Sequence, residues 1–259
     1  MDSEDTGYIE PDPDEPPPLE LGRAVGDVLP WGSTTVLFVW GAVFLWFAVR
    51  GQTGDTNAYL AWGANTLGRA AGETAWRLLA STFLHAGVAH AGMNALSLLL
   101  FGSSVESVFR RWAFWIVYAL GGAAASLGSL QWHVWRHGDT AHVSLGGSGA
   151  IFALGGALLA SSIRLRTRLA VGRARALAAG ALFLLLQSLA AGFTHLGTDN
   201  AAHASGLLAG FTIGMLMPLS PRLGVRPTPV LVRWVGGASV AALLLALVLA
   251  VRAGLRAGY

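Results

Sequence analysis

The chain contains no cysteine, which excludes a disulfide framework, a thiolate metal site and a cysteine nucleophile. It contains no lysine either, so all 17 basic residues are arginine. Charge is scarce: 12% of the 259 residues are charged, against roughly 25% in soluble domains. Eight of the 14 acidic residues fall within the first 20 positions, leaving six for the other 239. With 54% of residues hydrophobic, the natural unit is not a soluble domain but the membrane span of ~20 apolar residues. The net charge of +3 does not point to nucleic acid. The arginines stand singly or in groups between apolar segments, as span-flanking charges do, and form no basic patch.

Residues 1–28 are acidic and carry Pro11, Pro13, Pro16, Pro17 and Pro18. Such a composition cannot bury enough apolar surface to offset chain entropy, so a disordered tail is expected. It has neither the basic start nor the small-residue cleavage site of a signal peptide, and its removal is not expected. Seven apolar runs follow, near 32–49, 78–101, 112–130, 147–163, 176–194, 201–219 and 234–251. A lipid-exposed segment must satisfy its backbone internally, which a helix does, and the alternating polarity of a β-barrel is absent. The expected fold is therefore an all-α polytopic membrane protein. With the amino terminus cytoplasmic, 11 arginines fall inside and six outside, the bias that sets orientation. Five of the inner ones, Arg164, Arg166, Arg168, Arg173 and Arg175, share one short loop. The 50–77 stretch, with Trp62, Trp76 and Arg77, is too polar to cross and is expected outside, partly in the interface. So is the 131–146 connection, with Trp132, His133, Trp135, Arg136, His137 and His142.

Polar groups at span depth are costly and mark function. They are His85, His90 and Asn94 in the second span, Glu106 at its inner end, Ser148 at the start of the fourth, Gln187 in the fifth and His203 in the sixth. Ser148 lies in Gly146-Gly147-Ser148-Gly149, where missing Cβ atoms let a backbone or substrate approach the hydroxyl; the same run also suits plain helix packing. His203 is followed by Gly206, Gly210 and Gly214, spaced by four on one helix face for close contact. A lone intramembrane histidine equally suits an interhelical hydrogen bond. Topology places Ser148 and His203 near the outer ends of their helices, and a serine beside a histidine base is nucleophilic at neutral pH. No acid lies within the spans to complete a triad. Asp199 and Asn200 are the nearest candidates, and a dyad is the simpler reading. His90 and Asn94, at i and i+4 on one face, either aim donors at an oxyanion or join helices. No metal or cofactor is expected, because His85 and His90 are five residues apart rather than four and no carboxylate accompanies them.

Gly72-Glu73, Trp76-Arg77, Phe83-Leu84-His85, His90, Asn94, Gly102 and Glu106, then Gly146-Gly147-Ser148-Gly149 and Ala202-His203 with Gly206 and Gly210, occur in that order over roughly 63–215. Together they resemble the rhomboid family of intramembrane serine proteases. The resemblance implies a six-helix catalytic core over 29–219, with 220–259 adding a loop and one further C-terminal transmembrane helix. It implies Ser148 as nucleophile and His203 as general base, with His90, Asn94 and the Ser148 backbone N–H forming an oxyanion hole. It makes Trp76, Gly146, Gly149, Phe152, Gly206 and Gly210 structural, and Arg77 and Glu106 an ion pair tying the 50–77 loop to the second and third spans. The fifth span and the loop before the sixth become a substrate gate and cap. In one respect the chain departs from the pattern: four residues after the serine, where well-studied members carry a tyrosine against the catalytic histidine, it has Phe152. The aromatic contact survives and the hydroxyl is lost.

The expected activity is hydrolysis of single-span membrane proteins in or near the outer leaflet. Transmembrane substrates and the lipid bilayer are the expected partners, with no nucleic acid. The alternative is a catalytically inactive rhomboid-like protein that binds membrane clients. The arginine-only, Ala- and Gly-rich composition suggests a high-GC bacterium, and hence a multi-pass protein of the plasma (inner) membrane with a cytoplasmic amino terminus.

Overall fold

A computed structural model describes residues 30–67, 75–138, 141–165, 198–219 and 228–259, together with Leu182 and Leu186. The tail expected at 1–28, the span expected at 176–194 apart from Leu182 and Leu186 but including Gln187, most of the arginine-rich loop and the Gly72-Glu73 pair lie outside the described residues. Among the described residues the architecture is all-helical. Six helices have 17 residues or more: α1 (Trp31–Val49), α4 (Val88–Phe109), α5 (Arg111–His137), α6 (Ser148–Arg164), α7 (Asn200–Leu216) and α8 (Val230–Arg256). Two short ones, α2 (Thr56–Ala61) and α3 (Arg77–Ala80), lie in the connection between α1 and α4.

Helices α1, α4, α5 and α8 are long and apolar enough to cross a membrane. Their burial patterns explain why. In α1 the buried residues Ser33, Val36, Trp40, Val43 and Phe47 recur every three or four positions along one face, while Trp31, Phe38, Leu45 and Val49 are exposed on the rest. A helix apolar all round with only one face covered by protein meets water unfavourably and meets lipid without penalty. Helix α8 repeats the scheme: Gly236, Ser239, Leu243, Ala246, Ala250 and Gly254 face the protein, and Leu244, Leu245, Val248 and Leu255 face outward.

Helices α5 and α6 form the core. Phe114, Val117 and Tyr118 of α5 are fully buried, as are Ala150, Ala153, Leu154 and Ala157 of α6. The most extensive interhelical contact is that between α6 and α7. These two helices have 17 residues each, about 26 Å at 1.5 Å per residue. They are thus shorter than the ~30 Å hydrocarbon layer.

Two expected boundaries shift. The second apolar run begins at 78, but α4 starts at Val88; before it lie α3, a 3₁₀ turn over Ser81–Phe83 and an extended link through Leu84. Ala80, Phe83 and Leu84 are apolar because they are buried against protein, a demand that hydropathy does not separate from contact with lipid. His85 therefore precedes the helix rather than lying in a span. Helix α5 also runs on to His137, so Trp132, His133 and Trp135 sit on its last turns and not in a loop. An antiparallel bridge, Asn65 with Ser144, pins the α2–α3 connection to the segment leading into α6.

Candidate active site

Ser148 is the first residue of α6 and His203 lies in the first turn of α7. The two meet because their helices touch backbone to backbone. A Cβ on Gly206 would overlap the carbonyl oxygen of Gly149, one on Gly210 would overlap that of Ala153, and one on Gly214 would lie 2.7 Å from the Cα of Ala157. The stripe of three glycines thus removes the spacer that any other residue would insert. His203 Nε2 comes to 2.9 Å from Ser148 Oγ. Phe152 stacks on the His203 ring, with centroids 4.1 Å apart and planes 8° from parallel. One turn into α6, this phenyl fixes the imidazole plane, so the contact expected of an aromatic at that position is present without a phenol.

The approach to Ser148 is equally constrained. Gly146 has φ +121°, a backbone conformation L side chains rarely adopt, and its N–H donates to the Ser81 carbonyl at 2.9 Å. A Cβ there would lie 2.7 Å from His90 Cε1, 2.8 Å from His90 Nε2 and 3.7 Å from Asn94 Nδ2. His90 and Asn94 of α4 therefore both border the turn that delivers the serine. Asn94 is buried and its Nδ2 donor has no hydrogen-bond partner. An unpartnered buried donor is costly and calls for a reason. As the first residue of a helix, Ser148 also has a backbone N–H without an intrahelical acceptor, at the positive end of the helix dipole. Trp40 was not anticipated from the sequence: its indole occupies the space a Gly147 Cβ would need, and it meets His85 edge-on at 4.7 Å. His85 in turn lies edge-on to His90, 5.2 Å between centroids.

The expected Arg77–Glu106 ion pair does not form. Glu106 instead accepts hydrogen bonds from the backbone N–H groups of Gly32 and Ser33, both at 2.9 Å, and from Ser33 Oγ at 2.7 Å. The carboxylate caps the amino terminus of α1, where free N–H groups and the helix dipole favour negative charge. Arg77 serves the other side of the bundle. It donates through one guanidinium nitrogen to the carbonyls of Leu60 (2.7 Å) and Ala64 (3.1 Å), and its guanidinium lies over Trp76. It is buried, and carbonyl oxygens that close the α2 turn supply acceptors for its charge.

Asp199 does not complete a triad. It caps α7, with Oδ1 accepting from Ala202 N–H at 2.9 Å. Oδ2 accepts from the hydroxyls of Ser129 and Ser144. Burial alone would raise its pKa, but His142 beside it, the two serine hydroxyls and the Ala202 N–H together hold the carboxyl well below the usual carboxylate range. His203 Nδ1, the atom a third member would engage, is buried without a hydrogen-bond partner. The arrangement is a pair, and Asp199 acts on it through the backbone: its carbonyl accepts from His203 N–H at 3.1 Å.

The Rhomboid domain family matches residues 72–219, which include both members of this pair, His90 and Asn94. The chain is 30% identical to Rhomboid protease GluP of Bacillus subtilis (strain 168) over 192 residues, 73% of this chain and 36% of that protein. It is 34% identical to RHOMBOID-like protein 5 of Arabidopsis thaliana over 150 residues, 58% of this chain and 46% of that one. Putative rhomboid protease YdcA of Bacillus subtilis (strain 168) is 32% identical over 150 residues, 58% of this chain and 70% of that protein. The chain thus spans between a third and a half of the length of the first two relatives. The domain match covers more than half of the chain and the helices have the lipid-facing pattern of membrane spans: the protein is an integral membrane protein that belongs to the rhomboid family.

Proposed function

We propose that the protein is an intramembrane serine endopeptidase that hydrolyses peptide bonds of single-span membrane proteins in or near the outer leaflet. The observation that carries this reading is the 2.9 Å contact between Ser148 Oγ and His203 Nε2, two polar groups on helices that are otherwise largely apolar. With the proton of the imidazole on Nδ1, Nε2 accepts the hydroxyl proton as Ser148 Oγ attacks the substrate carbonyl. The tetrahedral oxyanion is met by Asn94 Nδ2, His90 and the Ser148 backbone N–H. His203 then protonates the leaving amine. Water, deprotonated by the same nitrogen, resolves the acyl-enzyme.

The short α6 and α7 support a site below the membrane surface, since helices of about 26 Å leave a hollow above their ends in a thicker layer. A substrate helix entering that hollow must unwind locally, because helical carbonyls are already hydrogen-bonded. Cleavage is therefore expected near residues of low helix propensity. The arginine distribution supports a cytoplasmic amino terminus, and the arginine-only, Ala- and Gly-rich composition supports a multi-pass protein of a bacterial plasma membrane. The presence of a serine and a histidine in hydrogen-bond contact argues against an inactive client-binding protein. Co-expression with a tagged single-span reporter tests the proposal. A Ser148-dependent fragment ending inside or just outside the reporter's outer-leaflet segment is expected. Equal cleavage by wild type and Ser148→Ala, or binding of the reporter without any cleavage, would contradict it.

A further inference from the structure

Beside the Ser148–His203 pair, but not part of it, three side chains of metal-ligating type converge. His133 comes from the last turns of α5, His142 from the segment leading into α6, and Asp199 from the cap of α7, with one ligand atom of each within 4.8 Å of the others. The mechanism above uses none of the three side chains. His142 Nε2 lies 3.6 Å from Asp199 Oδ2, is buried and makes no hydrogen bond. That separation is too long for a hydrogen bond. It is close to the ~3.4 Å between two ligands of one tetrahedral ion at ~2.0–2.1 Å each. The rings of His133 and His142 stack at 3.4 Å and 10°, which puts their edges side by side.

We propose that His133, His142 and Asp199 form a binding site for a divalent transition-metal ion, with Zn²⁺ as the fitting class, through two imidazole nitrogens and one carboxylate oxygen. Two nitrogens among three donors suit zinc and disfavour calcium or magnesium, which take oxygen ligands. Water fills the fourth position, as at zinc sites with three protein ligands. The carboxylate is already oriented by outer partners: Ala202 N–H holds Oδ1, and Ser129 and Ser144 hold Oδ2. Such bonds position metal-ligating groups. An ion on Oδ2 replaces one serine hydroxyl there and keeps the other. The two imidazoles open from their parallel stack so that both lone pairs point at the ion, a ring rotation that partial exposure of both residues permits.

The site would join three elements around the catalytic pair. Asp199 stands one helical turn before His203, and His142 lies six residues before Ser148. A bound ion therefore clamps the entry to α6 and the cap of α7 against the end of α5. The proposal is independent of proteolytic activity, and its test reads metal. The full chain, purified in detergent without a polyhistidine tag, is titrated with Zn²⁺ and then with Co²⁺. One Zn²⁺ per chain is expected, with a visible absorption of four-coordinate Co²⁺ and a melting temperature raised relative to chelator-treated protein. His133→Ala and His142→Ala should each weaken Zn²⁺ binding at least tenfold and abolish the thermal shift. Absence of Zn²⁺ uptake by folded wild type, or unchanged affinity in either folded variant, would overturn the site. The wild-type Co²⁺ spectrum keeps the test decisive should a variant not fold, since a six-coordinate spectrum also overturns it.

Discussion

Two interfaces in this protein are both apolar and both helical, yet they work differently. Between α6 and α7 the glycines at 206, 210 and 214 bring backbone against backbone. Along α1 and α8 one face packs on protein and the other presents large apolar side chains outward. The first contact sets atomic positions, because no side chain intervenes to absorb a displacement. The second sets only how much apolar surface meets lipid. The Ser148–His203 contact at 2.9 Å, on which the proposed chemistry rests, lies at the first kind, and the outer helices are free to vary.

The largest effect should come from breaking the close contact itself. Gly210→Leu drives a side chain into the Ala153 carbonyl and is expected to cost more than about 3 kcal/mol, a large part of a typical total stability; thermal melting in detergent should show loss of the folded species. The next is confined to chemistry. Asn94→Ala removes a donor that is unpartnered in the resting protein, so stability should hold while kcat falls by about 10²–10³. A melting loss in place of a rate loss would return Asn94 to helix packing. Glu106→Ala strips the acceptor from three donors of α1 and should cost about 2–3 kcal/mol. A double-mutant cycle sharpens the point. Glu106 and Ser33 should couple by about 1 kcal/mol, whereas Glu106 and Arg77, which do not touch, should add within ~0.5 kcal/mol. The smallest effect belongs to the lipid-facing side: Phe38→Leu, at a residue exposed over most of its surface, should change stability by less than about 0.5 kcal/mol.

Much of the site was legible because its signals are local. Gly206, Gly210 and Gly214 recur at helical spacing, and His90 and Asn94 share a face by the same period. Ser148 stands among glycines, and Phe152 lies one turn further along. Each of these relations needs only a helix to become geometry. What was not legible joins distant segments through groups with no signature. The partner of Glu106 is largely backbone N–H 73 and 74 residues away; backbone carries no residue type, and the ion pair with Arg77 that the family resemblance implies does not form. The start of α4 was hidden because Phe83 and Leu84 are apolar for burial in protein, a reason hydropathy shares with lipid. His133, His142 and Asp199 come from three elements, and only the fold gathers them; a search for i, i+4 spacing passes over them.

The measurement that bears most directly on the central claim is labelling of the detergent-solubilised chain with a fluorophosphonate serine-hydrolase probe. Wild type, Ser148→Ala and His203→Ala are compared at equal folded concentration. Covalent labelling of wild type that disappears in both variants is the result expected of a serine made nucleophilic by its histidine. Labelling that persists in Ser148→Ala, or a His203→Ala variant that labels as fast as wild type, would contradict the account.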